Sequence, residues 1–165
     1  MAYKTSLITE QELKDSGLID KNMLSNYLAQ AIELAQDTGL QFLIGSALYK
    51  KLRNEEIQDD ELMSRIKPYL LYKTVSELQM LNEFKMRNAG TVYANDVNYG
   101  TVPIETVQHI AKYYDDKAQF YGNQITKYLA VNPITVETDK TDVKPDPKHY
   151  NSGLWLKHKK CLCSK

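Results

Sequence analysis

Few residues here can staple, anchor or sharply bend the chain. Among 165 residues there are two cysteines, seven glycines and five prolines. The two cysteines, Cys161 and Cys163, stand one residue apart. They are too few and too close to hold a secreted fold together, which excludes a disulfide scaffold and makes a reducing cytoplasm the expected compartment. No apolar run, Phe42-Leu43-Ile44 among them, approaches the roughly 18 residues of a membrane-spanning helix. Met1 to Glu10 lacks the charged-then-apolar order of a signal peptide, so none is expected. A large charge of one sign is missing too: 21 Lys and Arg balance 21 Asp and Glu. Zero net charge argues against the basic field of a dedicated DNA binder.

What remains is an ordinary globular balance, 42% hydrophobic and 25% charged. A compact chain of this length buries roughly 68–70% of its unfolded surface and folds without staples. The pronounced bias is aromatic, with 12 Tyr against 3 Phe and 1 Trp. Tyrosine joins a large apolar body to a polar tip, which suits both the margin of a core and an interface that is wet before it is buried.

Helical periodicity dominates to about residue 130. Thr9 with Glu12 three residues on is a capping box, and Gly17 stops the helix that it opens. Asp20 is the expected cap of a second helix carrying Leu24, Tyr27, Leu28, Ala31, Leu34 and Ala35 on one face, with Gly39 as its end. Gly45-Ser46 opens a third helix through Leu52. The acidic stretch Glu55 to Glu61 reads as a solvated loop rather than a carboxylate metal site, with Asp59 or Asp60 capping the helix that follows. That helix should run from Leu62 to about Arg87, with Phe84 on its apolar face and a kink or break at Pro68. Gly90 and Gly100 then bracket β-forming residues around an Asn-Asp turn, which predicts an extended loop or small hairpin. From Pro103 a long helix carries Val107, Ala111, Tyr114, Ala118, Tyr121, Ile125 and Tyr128 at alternating four- and three-residue steps, the seam of a bundle helix.

After Asn132 the prolines Pro133, Pro145 and Pro147 read as an extended arm. From Lys144 onward six lysines face one aspartate, so this stretch is +5 and the remainder −5. The expected fold is therefore all-α: a bundle of about four to five helices with one β-like loop at about 90–102. It makes up a helical domain, 1–132, and an extended basic arm, 133–165. The loop residues Val92, Tyr93, Val97 and Tyr99 would otherwise leave an unprotected edge and are expected to meet a partner. The arm residues Tyr150, Leu154, Trp155 and Leu156 are expected to anchor on another chain, since Leu-Trp-Leu is costly to leave in water.

Catalytic constellations do not occur. No phosphate-cradling glycine loop, G-x-S-x-G elbow or H-E-x-x-H is present. His109 stands alone on a helix, and Asp115-Asp116 lacks an accompanying base. No enzyme activity, cofactor or metal is expected. His149, His158, Cys161 and Cys163 form a conceivable zinc set, but the C-x-C spacing is tighter than structural sites use.

The order of these pieces resembles the head–tail connector, or neck-ring, proteins of tailed bacteriophages, most closely those of crAss-like Bacteroides phages. The likeness rests on Ala31-Ile32-Glu33-Leu34-Ala35-Gln36, on Gly45-Ser46-Ala47-Leu48-Tyr49-Lys50-Lys51-Leu52, and on the acidic loop. It continues through Pro68-Tyr69-Leu70, Asn88-Ala89-Gly90-Thr91-Val92 and a closing Tyr128-Leu129-Ala130-Val131-Asn132, covering about residues 5–132. The resemblance implies a structural virion protein in a ring, commonly twelve-fold, between portal and tail. It would extend the DNA channel and offer a docking surface to the tail. Its partners would be copies of itself, the portal protein, and tail or further neck proteins, with passing genomic DNA touched only non-specifically and no membrane. Its location would be the virion neck, after assembly in the host cytoplasm. The alternative is a small helical nucleic-acid-binding or regulatory adaptor that acts through the basic aromatic tail.

Overall fold

The computed structural model describes residues 5–87, 90–93 and 103–134, with side chains at 5–81 and 103–134. The chain is an all-α bundle to which one two-stranded hairpin is added. Helix α1 (Glu10–Asp15) starts at the capping box: the Glu12 amide donates to Thr9 Oγ1 at 3.1 Å, and the Thr9 amide donates to Glu12 Oε2 at 2.8 Å. Gly17 follows at φ +71°, a conformation that glycine adopts without steric cost. Its buried anchor is Leu13.

Two expectations fail in the next segment. Asp20 does not cap helix α2 (Ser25–Leu34); its carboxylate accepts the Asn22 amide at 2.7 Å in a turn, and Leu24 holds the cap position without a side-chain bond. Nor does Gly39 end a helix. A π-helical stretch, Ala35–Leu40, joins α2 to α3 (Gln41–Ile44), and the rod ends only at Gly45, φ +84°. Gly39 serves packing instead, because a Cβ there would lie 2.8 Å from the Tyr69 hydroxyl. The wide turn carries Gln36 fully buried, where its side chain donates to Ile32 O at 3.2 Å and accepts the Leu7 amide at 2.7 Å. That pair of bonds ties the N-terminal segment to the bundle without leaving the amide unpaired.

Helix α4 (Ser46–Arg53) turns back into the core with Leu48, Tyr49 and Leu52 buried. Helix α5 (Asp60–Glu83) is capped by Asp59, whose carboxylate accepts the Leu62 amide at 2.9 Å. It continues through Pro68 without a break. It also stops short of Arg87. Phe84–Arg87 is strand β1, paired antiparallel with β2 (Gly90–Tyr93), with Phe84 opposite Tyr93 and Arg87 opposite Gly90. Strand therefore begins before the expected window, because a partner strand across the turn outweighs local helical periodicity.

Helix α6 (Ile104–Val131) has Pro103 at its cap position and is roughly 42 Å long at about 1.5 Å per residue. Contacts descend α5 as they climb α6: Ser76 with Ala111, Lys73 with Asp115, Tyr69 near Gly122, and Asp59 with Tyr128. The two long helices are thus antiparallel, and the hairpin is inserted at the end where they connect. The seam read from sequence is the packed face. Val107, Ala111, Ala118 and Ile125 are buried, while Tyr114, Tyr121 and Tyr128 are half-buried against the core. Tyr121 is thereby a margin residue and not the fully enclosed one that the periodicity implied.

Candidate interaction face

Five aromatic rings gather where α6 meets α5. Tyr72 of α5 lies between two tyrosines of α6, stacked on Tyr121 (centroids 5.7 Å, 10°) and on Tyr114 (6.5 Å, 24°). Each α6 tyrosine meets its sequence neighbour edge-on: Tyr113 against Tyr114 and Phe120 against Tyr121, both at 5.4 Å. Offset-stacked and edge-to-face pairs of this kind are favourable beyond the area that they bury. The three stacked tyrosines make a half-buried floor. Tyr113 and Phe120 stand up as walls, 58% and 60% exposed. Together with Leu18, Asp116 and Lys117 they enclose an open groove of about 690 Å³. Lys117 reaches over the Tyr113 ring at 5.4 Å, a cation–π contact that stiffens one wall.

The groove has a simple origin in sequence. On α6 the buried seam and a second stripe, Ile110, Tyr113 and Phe120, repeat with the same seven-residue spacing and are offset by about one residue. All three residues of the second stripe are exposed, as is Val131 farther along. Sequence reasoning missed this stripe. The signal was present, but Lys117, Gln124 and Lys127 interleave with it and give it the look of a solvated face.

The polar clusters have structural employment. Arg53, almost wholly buried, donates to both Glu33 carboxylate oxygens at 3.1–3.2 Å and to the Tyr49 hydroxyl at 2.9 Å; that hydroxyl in turn donates to Asp37. Burial, helped by Asp37, pushes the Tyr49 phenol far above its ordinary range. This network clamps α4 onto α2. Lys73 bridges Asp115 at 2.8 Å and Glu77 at 3.0 Å. Burial works against its ammonium, yet the two carboxylates hold its pKa above the usual lysine value. It is therefore a charged strut between α5 and α6, unsuited to act as an amine nucleophile. Asp115 of the Asp115-Asp116 pair is committed to this strut and to Gln119 at 3.0 Å. His109 is exposed on α6. Among the described residues no group of three or more His, Cys, Asp and Glu is gathered as for a metal ion. No helix among them is long and apolar enough to cross a membrane.

Of the residues singled out from sequence as partner-binding, Val92 and Tyr93 lie on β2 of the hairpin. Val97 and Tyr99 fall outside the described residues, as do Tyr150, Leu154, Trp155 and Leu156 of the arm and the four candidate zinc ligands His149, His158, Cys161 and Cys163. The described chain is thus an all-α bundle bearing an exposed aromatic groove. It belongs to DUF6712, a family of unknown function, whose match spans residues 18–143 and so takes in every residue that lines the groove. No curated protein and no solved structure matches it.

Proposed function

We propose that this chain is a structural neck protein of a tailed bacteriophage, a head–tail connector that assembles in copies between portal and tail. The observation that carries the reading is the order of its packing and turn motifs through residues 5–132, which resembles that of connectors. Two features of the bundle support it. The polar clusters are consumed in struts and caps, and the longest helix turns an apolar stripe outward where an assembly would cover it. Exposed apolar patches of this sort mark surfaces that meet other proteins. The hairpin between α5 and α6 supplies a second contact element at one end of the long pair, suited to the portal or to a neighbouring copy. The arm beyond Pro133 would anchor on an adjoining chain.

The test is the solution mass of the purified chain, alone and with purified portal protein, together with its absorbance ratio for bound nucleic acid. A ring-sized complex with the portal and no nucleic acid is the expected result. A chain that ignores the portal and copurifies with nucleic acid would instead establish the adaptor working through its basic tail.

A further inference from the structure

We infer that in the isolated chain the aromatic groove of α6 is the seat of the chain's own Leu154-Trp155-Leu156. Among the described residues nothing covers this largely aromatic groove. Its floor is Tyr72, Tyr114 and Tyr121, and its walls, Tyr113 and Phe120, are seven residues apart on one helix. At about 1.5 Å per residue the walls are separated by roughly 10 Å along the helix axis, wide enough to admit an indole between them. The sequence holds a single Trp, flanked by two leucines.

Position and reach fit. The described residues end at Ile134, packed against the core just past the end of α6. Phe120 and Tyr113 lie back along the helix from Val131 by roughly 16 and 27 Å. Nineteen residues lie between Ile134 and Leu154, and at up to roughly 3.3 Å per residue that length spans the distance to either wall more than twice over. A tether that spans the two sites makes the contact intramolecular, at an effective concentration well above micromolar protein, so the chain's own segment outcompetes that of a second molecule. Charge assists. The residues from Lys144 onward are +5 and the rest of the chain −5, which favours the arm's return to the bundle, although at the rim itself Lys117 offsets Asp116. The inference does not rest on the connector reading, because it concerns the chain before any partner is present.

Trp155 is its own reporter. In the full-length chain its emission should be blue-shifted and shielded from acrylamide, equally so across a wide range of protein concentration. Tyr113→Ala and Phe120→Ala remove exposed wall residues and should keep far-UV helicity. Each is expected to shift the emission to the red and raise quencher access toward that of a free arm peptide. Leu24→Ala deletes another highly exposed apolar side chain, 66% accessible and outside the groove, and should change nothing. Full exposure of Trp155 in the unmodified chain overturns the inference, as does an equal loss of shielding in Leu24→Ala. Shielding that appears only as concentration rises, with a larger solution mass, also overturns it and gives the groove to a second copy. None of these readouts involves the portal, so the inference and the connector proposal fail separately.

Discussion

Replacing Gly39 with alanine sets two effects of opposite sign against each other. Within a helix, alanine is preferred over glycine by about 1 kcal/mol. At Gly39 the new methyl group would stand 2.8 Å from the Tyr69 hydroxyl and 3.2 Å from Cγ of Lys73, both well inside the roughly 3.5 Å of comfortable contact. Neither neighbour yields easily. Lys73 is tethered through its ammonium to Asp115 and Glu77, and Tyr69 is 3% exposed, with its ring against Gly122 of α6. Overpacking of this kind costs about 1–3 kcal/mol. Sterics should therefore win, with a net loss of about 1 kcal/mol. Gly122→Ala is the contrasting case, because its nearest atoms would be 3.4–3.5 Å away. There the helix preference prevails, and a gain of roughly 0.5–1 kcal/mol is expected. Urea unfolding followed by far-UV circular dichroism, at constant m, measures both. Adding Tyr69→Phe to Gly39→Ala removes the obstructing oxygen, so the double-mutant cycle should show a favourable coupling of about 1 kcal/mol. If Gly39→Ala stabilises as much as Gly122→Ala, or the cycle shows no coupling, the slot holding Tyr69 is not what selects glycine.

Other expectations follow from the same contacts. Burial raises the pKa of Glu12, but Lys67 and Thr9 outweigh it and hold it below the ordinary carboxylate value. The Leu62 amide depresses Asp59 most; burial opposes it, and the Tyr128 hydroxyl adds to the depression. A depressed folded pKa contributes stability above the unfolded value of about 4 that is lost as pH falls through the folded one. Urea midpoints should thus drop on acidification below about pH 4, and Asp59→Ala should flatten that limb while costing about 1 kcal/mol near neutrality through the lost cap. Lys73 has the opposite sign: its raised pKa contributes stability below about 10.4 that is lost at higher pH, so Lys73→Met should blunt the alkaline decline. Tyr121→Ala should cost about 2 kcal/mol in the same urea assay, below the roughly 3–5 of a fully enclosed aromatic. Deleting residues 92–98 should leave far-UV helicity intact and abolish assembly with the portal; normal incorporation of the deletion into particles would reduce the hairpin to a connector.

Whether the sequence disclosed a feature depended on how far away its cause lay. Thr9 with Glu12, and Asp59 ahead of Leu62, were legible because a cap is satisfied within three residues. The buried stripe of α6 was legible because one packed face leaves a seven-residue pattern whatever covers it. Asp20, Gly39 and Phe84 misled for the complementary reason. Asp20 had a nearer amide to satisfy, at Asn22. Gly39 looked like a stop because glycine commonly is one, but its neighbour is Tyr69, thirty residues on. Phe84 continues a helical pattern and still pairs with Tyr93, since ladder bonds are invisible to periodicity. The groove is the instructive intermediate case. The tyrosine excess pointed to surfaces that are partly wet, and the structure sorts those tyrosines by depth: Tyr49 enclosed, Tyr72, Tyr114 and Tyr121 half-covered, Tyr113 exposed. A residue with one polar atom at its tip tolerates every step of that gradient, so composition alone could announce an interface without saying which face of α6 would carry it. Only the position of Tyr72 on the antiparallel neighbour decides that, by stacking on the inner pair and leaving the outer rings without a cover from the described bundle.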